Sequence, residues 1–283
     1  MLAYVDGKFI EEEDARISIF DRGFLFADGI YEVSAVIDGR LVDNDAHLQR
    51  LERSLAEIGM KLPMPVASLT AIQKELISRN GLVDGTVYLQ VTRGVAKRNF
   101  NFPQSSLTLV MFTQKRDILN LPEAKTGIHV ITVPDLRWKR RDIKSVGLLA
   151  QVLAKQAAAV AGCQEALLVE DGIITEGASS SFFIVTSEDV IVTRPISSAI
   201  LAGCTRNAVL ALRKDSSLRI EERAIALEEA YQAKEAFITS ASNFVIPVVR
   251  IDDREIGTGA VGPIALSMRQ HYIRFARHPR PNA

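Results

Sequence analysis

The chain is poor in cysteine, with Cys163 and Cys204 as the two cysteines among 283 residues. Two cysteines cannot build a disulfide framework and here lack the spacing of a zinc site, so we expect two small buried apolar residues and no structural metal. Also missing are an apolar run of about 18 residues, the length that spans a bilayer, and a basic leader before an apolar segment. These absences favour a cytoplasmic protein over a membrane-spanning or secreted one.

A net charge is missing as well. Lysine and arginine together number 34, as do aspartate and glutamate, which gives a formal net charge of +0. A chain without an excess of one sign has no field to attract nucleic acid or a charged membrane surface. The sequence also contains no phosphate-binding loop, dinucleotide fingerprint or repeat of roughly 20 to 50 residues. The expected partners are therefore small molecules or a second copy of the chain.

Asp-Gly pairs between short alternating apolar runs are the clearest local signals that the sequence does contain. Such a pair is typical of the two-residue turn of a β-hairpin. The pairs occur at 6–7, 38–39 and 171–172, and a further hairpin is predicted at 252–253. Residues 21–31 are glycine-punctuated and aromatic, and we interpret them as a loop that enters a strand.

Apolar spacing and end signals predict four long helices. The first has Asp43 in its N-cap region and Gly59 as its stop. The Ala-rich helix over 148–162 is apolar enough that we expect it to be largely buried. The other two lie near 66–80 and 263–275. With the strands, they predict an α+β protein of two domains, residues 1–117 and 118–283, joined near a linker.

Lys144 follows a run of basic residues and precedes the Ala-rich helix. A free lysine has a pKa of roughly 10.4 and is therefore protonated at neutral pH. Loss of water and neighbouring cations would both favour the neutral amine that bonds to a carbonyl carbon. The plainer interpretation of the run, which begins at Arg137, is a solvated basic loop, and composition alone favours it.

Other candidate residues stand at similarly suggestive positions. Glu176 is the one charge in a stretch of small residues, and Gly203 with Thr205 at a predicted helix start could seat an anion, although Thr205 could equally be an ordinary N-cap. Arg50 lies beside the apolar stripe of the first long helix, where most arginines extend to solvent. A lysine, an isolated acid and donors for an anion are what a pyridoxal phosphate site requires.

Five motifs then appear in an order and at intervals that are far more specific than any one of them. They are Asp21-Arg22-Gly23 with Phe26 to Val33, His47 to Leu51, Gln90 to Gly94, Asp135 to Ser145, and Thr175 to Ser181. On these motifs the chain resembles the fold-type IV pyridoxal phosphate enzymes along nearly its whole length, and most closely the D-amino-acid aminotransferases.

The resemblance implies a fold and an activity. It implies a small N-terminal domain and a larger C-terminal domain with a β-barrel-like core, in a homodimer. It also implies transfer of an amino group from a D-amino acid of the D-alanine type to a 2-oxo acid such as 2-oxoglutarate or pyruvate, with pyridoxal 5'-phosphate as the cofactor.

Residue roles also follow from the resemblance. It implies that Lys144 binds the cofactor as an imine and later moves a proton, and that Glu176 keeps the pyridine nitrogen protonated. It places the phosphate on Arg50 and on the helix start at Cys204 and Thr205.

Further positions concern the phosphate and the substrate. Either Ser240 or Ser242 would supply a hydroxyl to the phosphate site in place of the threonine that Ala241 replaces. Tyr31 and Arg98 match positions that contact the substrate carboxylate. If Arg98 does not hold that carboxylate, Arg22 and Arg137 are the next candidates.

The sequence departs from the D-amino-acid enzymes at three positions. Phe100 replaces a histidine near the carboxylate-binding arginine, Ser181 replaces an asparagine, and Ala241 replaces a threonine on the phosphate side. The first change removes a donor and bears on substrate range. Alternatives from the same fold are aminodeoxychorismate lyase and a branched-chain L-aminotransferase, and a protein that binds the cofactor without catalysis is a third possibility.

Overall fold

A computed structural model of the protein describes residues 1–211 and 219–277. The chain divides into two compact units, the first made of Met1–Asp117 with Ile143–Gly147, and the second of Ile118–Asp142 with Leu148–Ala283. The segment Ile143–Gly147, which was assigned to the C-terminal domain from the sequence, clusters with the first unit. Helices and strands are mixed in both units, which confirms the predicted α+β class.

The first unit, whose residues are all described, contains one antiparallel sheet in the order β2-β1-β6-β5-β3-β4. Helix α2 packs against β3, and α3 packs against β1 and β6. The elements are β1 (Leu2–Val5), β2 (Lys8–Glu11), α1 (Arg22–Phe26), β3 (Gly29–Ile37), β4 (Arg40–Leu41), α2 (Asn44–Glu57), α3 (Val66–Arg79), β5 (Gly85–Thr92) and β6 (Thr108–Lys115).

The core of the first unit lies between the sheet and its helices. Leu48, Leu51 and Leu55 on α2 pack with Leu89 and Met111 from the sheet. Because successive strand residues point to opposite faces, the residues beside these core positions lie on the other side of the sheet. Strand β3 thus presents neighbouring side chains to two different environments.

The second unit contains the remaining described elements. They are α4 (Glu123–Thr126), β7 (Ile128–Pro134), α5 (Leu149–Val160), β8 (Glu165–Glu170), β9 (Ile173–Gly177), β10 (Ser181–Val185), β11 (Val190–Thr193), α6 (Cys204–Ala211), β12 (Arg219–Glu222), β13 (Ile225–Ala226), α7 (Leu227–Tyr231), β14 (Glu235–Ser240), β15 (Phe244–Ile251), β16 (Arg254–Glu255) and α8 (Pro263–Arg277). None of the helices in the described part of the chain has the length and apolar character needed to cross a membrane.

The sheet of the second unit curls back on itself. Its strand order in the described residues is β12-β11-β10-β14-β15-β7-β8-β9-β13, with β16 beside β15. The two end strands, β12 and β13, are separated by Arg223 and Ala224 alone. A link this short spans on the order of 10 Å, so the ends of the sheet must lie close together. This arrangement confirms the predicted barrel-like core.

The hairpins predicted at Asp-Gly pairs are confirmed. Asp6, Asp38 and Asp171 each adopt positive φ, between 46° and 52°, and the glycine after each does so too. Both residues of the tightest hairpin turn require this conformation, which Asp tolerates and glycine favours. The predicted loop over 21–31 is wrong in one part, because α1 forms there with the Asp21 side chain accepting a hydrogen bond from the Gly23 N–H.

Asp43 stands at the N-cap of α2, as predicted, but it has a left-handed conformation with φ of 53°, and its side chain makes no capping hydrogen bond. The expectation that the Ala-rich helix α5 is largely buried is wrong. Its small residues Ala154 and Ala158 face the sheet, whereas four larger apolar side chains on the other side are exposed, namely Leu149 (72%), Val152 (57%), Leu153 (57%) and Val160 (79%).

Candidate active site

Lys144 is held in the first unit by a short stretch of sheet-like pairing to β3. The Tyr31 N–H donates to the Lys144 carbonyl at 3.1 Å, and the Val146 N–H donates to the Gly29 carbonyl at 3.0 Å. The Lys144 N–H also lies 3.4 Å from the Ser54 hydroxyl of α2. These contacts with β3 and with Ser54 fix the Lys144 backbone and therefore the direction in which its side chain extends.

The Lys144 side chain lies over an aromatic surface. Its Nζ is 4.2 Å from the centre of the Tyr31 ring. Tyr31 stacks on Tyr88 with ring centres 5.6 Å apart, and Tyr88 stacks on Phe112 at 4.7 Å. Burial raises the pKa of Tyr88, and the nearby Tyr31 phenol adds to the rise. Lys144 and Tyr31, two residues predicted to be functional, are thus direct neighbours.

Arg50 does not extend to solvent, contrary to the usual behaviour of such residues. It is buried against Glu32, with Nε 2.7 Å from Oε1 and Nη2 2.8 Å from Oε2, while His47 Nδ1 lies 2.8 Å from Oε2. Burial raises the pKa of Glu32, but the charge and hydrogen bonds of Arg50, with those of His47, outweigh it and hold the pKa well below its usual range. The two-bond fork fixes the guanidinium plane.

Glu32 was not predicted from the sequence as a partner of Arg50. A signal was present, because Glu32 stands at a position of β3 whose neighbours two residues away, Ile30 and Ser34, are also buried. His47 and Arg50 are three residues apart on α2 and share one helix face. A charge on a buried strand face opposite a His and an Arg of one helix predicts such a cluster.

We expect Glu32→Gln to lower the free energy of unfolding at pH 7 by about 3–5 kcal/mol, because the buried Arg50 charge loses its partner. The folded-state pKa of Glu32 is depressed, so its contribution is present above the unfolded pKa of about 4.3 and is lost as pH falls. The difference in the free energy of unfolding between wild type and variant should therefore become smaller below about pH 4. Urea unfolding at pH 7, 5, 4 and 3 measures this, with Glu52→Gln, an exposed change on α2, as the control. Equal stability of wild type and Glu32→Gln at pH 7 would contradict it.

The basic run before Lys144 is neutralised by acids rather than forming a cationic field. Arg137 donates to Asp135 Oδ2 at 2.8 Å and to Glu176 Oε1 at 2.5 Å. Arg141 donates to Glu170 at 2.8 Å, and Lys139 pairs with the same carboxylate. The cations expected to flank Lys144 therefore have acidic partners, and the sequence does not show which acids these are.

Glu176 lies on β9, not in the loop where the sequence placed it, and it is buried. It accepts hydrogen bonds from Arg137 and from the Leu201 N–H, the latter at 3.1 Å, and both fall on Oε1. Burial raises the pKa of Glu176, and the charge of Arg137 opposes that rise. Although burial also raises the pKa of Asp135, its hydrogen bonds from Arg137 and Thr175 bring it below the usual value.

Helix α6, whose start carries the predicted anion seat, packs against β14 in the second unit. Cys204 and Thr205 are the first two residues of α6 and are buried. Gly203 precedes them, and a Cβ at this glycine would lie 2.7 Å from the Ser181 hydroxyl. At the end of β14, the buried hydroxyls of Thr239 and Ser240 have no hydrogen-bond partner in the described part of the chain. Unpaired donors beside a helix N-terminus suit a phosphate.

Arg98 and Phe100 lie on a loop that joins β5 to β6, and both are exposed. Phe100 lies against Phe26 with ring centres 5.5 Å apart, and the Arg98 guanidinium is 5.2 Å from the centre of the Phe26 ring. Arg22 and Arg137 are engaged elsewhere, with Arg22 held by Asp28 and by loop carbonyls. Neither presents a guanidinium in the way expected of an alternative carboxylate anchor.

Comparison of the chain with known proteins identifies its family. The amino-transferase class IV model matches residues 29–251. The chain belongs to the amino-transferase class IV family. It is 41% identical over 275 residues to a D-alanine aminotransferase of Bacillus licheniformis, covering 95% of each chain, and 36% identical over 274 residues to one of Staphylococcus epidermidis, covering 96% of each.

Solved structures of branched-chain amino acid aminotransferases have the same fold. A branched-chain amino acid aminotransferase of T.th., solved with pyridoxamine 5'-phosphate, superposes with a TM-score of 0.91 at 26% identity, covering 99% of this chain and 95% of that one. A branched-chain enzyme of Escherichia coli gives 0.90 at 22% identity, with coverage of 97% and 94%. The resemblance to fold-type IV aminotransferases is thereby confirmed. Among the described residues, no cluster of His, Cys, Asp or Glu could hold a metal ion.

Proposed function

We propose that the protein is a pyridoxal phosphate-dependent aminotransferase that moves the amino group of a D-amino acid, with D-alanine as the reference substrate, to a 2-oxo acid such as 2-oxoglutarate or pyruvate. The observation that carries this proposal is the near full-length similarity to D-alanine aminotransferases, at 34–41% identity. Lys144 and Glu176 stand in the motifs on which the chain resembles the fold-type IV enzymes.

The described residues fit the cofactor. The unpaired hydroxyls of Thr239 and Ser240 and the buried start of α6 offer donors to a phosphate. The further phosphate ligand Arg50 is proposed on the resemblance alone. Glu176 has both of its hydrogen bonds on Oε1, which leaves Oε2 to accept a bond from a pyridine N–H. We propose that Ser240, which has a buried and unpaired hydroxyl one residue earlier, offsets the departure at Ala241.

Pyridoxal phosphate, when bound, supplies an electron sink for the electron pair that the departing Cα proton leaves behind. Lys144 takes that proton from the substrate Cα as general base and later returns a proton as general acid. Arg137 and the Leu201 N–H hold Glu176 in place and favour its carboxylate form. Arg98 and Tyr31 bind the substrate carboxylate, and the Phe100 ring replaces a donor with an apolar surface.

The absorbance of the cofactor-loaded enzyme tests this function directly. D-Alanine should convert the spectrum of the bound aldehyde form to that of the amine form, and 2-oxoglutarate or pyruvate should restore it. L-Leucine and aminodeoxychorismate serve as the competing substrates. A response to L-leucine alone would replace the proposal with a branched-chain L-aminotransferase, the alternative that the structural neighbours at 26% identity favour.

We further propose that the enzyme is a cytoplasmic homodimer. Both cysteines are unpaired and buried, in keeping with a reducing compartment. The exposed side of α5 carries Leu149, Val152, Leu153 and Val160, a contiguous apolar stripe of the kind that marks an interface. A second copy that covers this stripe would also explain why an apolar helix is left exposed in a single chain.

Val152→Asp should weaken association by about two orders of magnitude, because a charge would be buried in the interface. Sedimentation equilibrium across a range of concentrations measures the dissociation constant. Val66→Asp is the matched control, since Val66 is an exposed valine at the start of α3. A wild-type protein that sediments as a fully active monomer would defeat the dimer proposal.

A further inference from the structure

The loop of residues 94–105, which we call the recognition loop, joins β5 to β6 and carries Arg98 and Phe100. Its first part is tied by backbone bonds. The Arg22 N–H donates to the Gly94 carbonyl at 2.9 Å, and the Ala96 N–H donates to the Phe20 carbonyl at 3.2 Å. Gly94 has φ of +87°, and a Cβ there would lie 1.8 Å from the Ser106 carbonyl oxygen, so only glycine fits this turn.

Beyond Ala96, the tip of the recognition loop is held by a buried arginine. The Arg22 guanidinium donates from Nη1 to the Asn99 carbonyl at 2.5 Å. Longer contacts of 3.5 Å run from Nη1 to the Asn101 carbonyl and from Nη2 to the Phe100 carbonyl. Three consecutive carbonyls of an exposed loop therefore converge on one guanidinium.

The position of the Arg22 guanidinium is itself fixed by Asp28 and Arg93. Its Nε donates to Asp28 Oδ2 at 2.7 Å, and Arg93 Nε donates to the same oxygen at 2.8 Å. Arg93 is in turn anchored on the Ile58 carbonyl at 2.6 Å. Arg22 has little freedom to move, because its charge-assisted hydrogen bond to Asp28 is short and the Asp28 side chain is only 10% exposed.

The Phe26 ring links Arg22 to Arg98 and Phe100, the residues proposed to face the substrate. The Arg22 guanidinium lies 4.7 Å from the centre of the Phe26 ring. The same ring is 5.5 Å from that of Phe100 and 5.2 Å from the Arg98 guanidinium. Arg22, Phe26 and Arg98 thus form one packed group in the first unit.

We infer that Arg22 is a positioning residue for substrate recognition, which holds the tip of the recognition loop so that Arg98 is presented to the substrate carboxylate. This inference rests on the proposed function, since the carboxylate role of Arg98 belongs to it. Arg22 does not bind the substrate itself, because its donors are directed at Asp28 and at the loop carbonyls. Its effect is therefore on substrate affinity rather than on proton transfer.

The test compares Arg22→Lys, Arg22→Gln and the control Arg16→Gln in the cofactor-loaded enzyme. Arg16 is an exposed arginine that also donates to nearby carbonyls, at Glu13 and Ala15. Both Arg22 variants should raise KM for D-alanine about tenfold, because Arg98 would make a weaker charge-assisted hydrogen bond to the substrate carboxylate. The value of kcat should change by less than about twofold. Arg22→Lys keeps a cation beside Asp28 and serves if the Gln variant does not fold.

A second measurement reports on the recognition loop without using activity. Trypsin cuts after lysine and arginine, and Lys97 with Arg98 are exposed there. When Arg22 is replaced and no longer holds the loop carbonyls, trypsin should cleave these bonds about tenfold faster or more, whereas Arg16→Gln should be cleaved at the wild-type rate.

Unchanged KM and unchanged cleavage in a folded Arg22→Lys would overturn the inference. So would a fall in kcat at constant KM, which would indicate a general structural role. If the wild-type enzyme leaves D-alanine untouched, the proposed function fails, and the tryptic comparison then decides by itself whether Arg22 holds the loop.

Discussion

Lys144→Ala should reduce turnover of D-alanine by about three to four orders of magnitude, because the general base at Cα and the covalent attachment of the cofactor are lost together. The structure fixes the position of Lys144, so we attribute the expected loss to this particular amine and not to the removal of one positive charge. Lys144 is fixed by backbone pairing to β3, and its Nζ lies over Tyr31 at 4.2 Å. Stopped-flow absorbance of the half-reaction with D-alanine measures the loss.

Lys139→Ala is the control, because Lys139 belongs to the same basic run but is exposed and paired with Glu170. It should retain wild-type turnover. Borohydride reduction of the loaded wild-type enzyme, followed by peptide mass mapping, should place the cofactor on the peptide that contains Lys144. A label on another lysine would overturn the assignment, whatever the kinetics of the Ala variant.

Glu176→Gln is expected to lower kcat by about 10²- to 10³-fold while the cofactor stays bound, because a preorganised charge that stabilises the transition state is removed without a change of size. Glu176 is suited to this role since Arg137 and the Leu201 N–H hold its Oε1 and Oε2 remains to accept a bond. The proposed phosphate donors on α6 and β14 are untouched by the change, so the cofactor should stay bound.

The measurement is kcat for several D-amino acids at saturating cofactor, with the bound fraction read from absorbance. The factor should be the same for each amino acid, because the change acts on the cofactor ring and not on substrate recognition. Glu188→Gln, an exposed carboxyl, should leave kcat unaltered. Wild-type kinetics in Glu176→Gln would mean that the ring nitrogen has another partner.

The parts of the fold that the sequence predicted well are those decided by neighbouring residues. The Asp-Gly hairpins formed because both turn residues must adopt positive φ, a demand that these two residue types meet locally. The ends of α3 and α8 also lie close to where apolar spacing and end signals put them. In these elements the physical cause and the sequence signal sit within a few residues of each other.

Features set by distant contacts could not be predicted in this way. The spacing of α5 shows that one side is apolar, but not that the small alanines rather than the large side chains face its own sheet. Arg50 and Glu32 are 18 residues apart, and nothing near Arg50 tells that its charge is matched inside the unit. Likewise, Glu176 and Arg137 meet because β7 and β9 both flank β8.

Residues 143–147 belong to the first unit although the chain has by then passed through β7 of the second. During synthesis, a chain that ends at Asp117 still lacks the groups that pair with the Gly29 carbonyl and the Tyr31 N–H. It would present an open strand edge of the kind that promotes association with other chains. The first unit therefore completes its sheet only after the start of the second unit has been synthesised. A gene divided between codons 117 and 118 would encode an N-terminal fragment that lacks both Lys144 and the backbone pairing of residues 143–147 to β3.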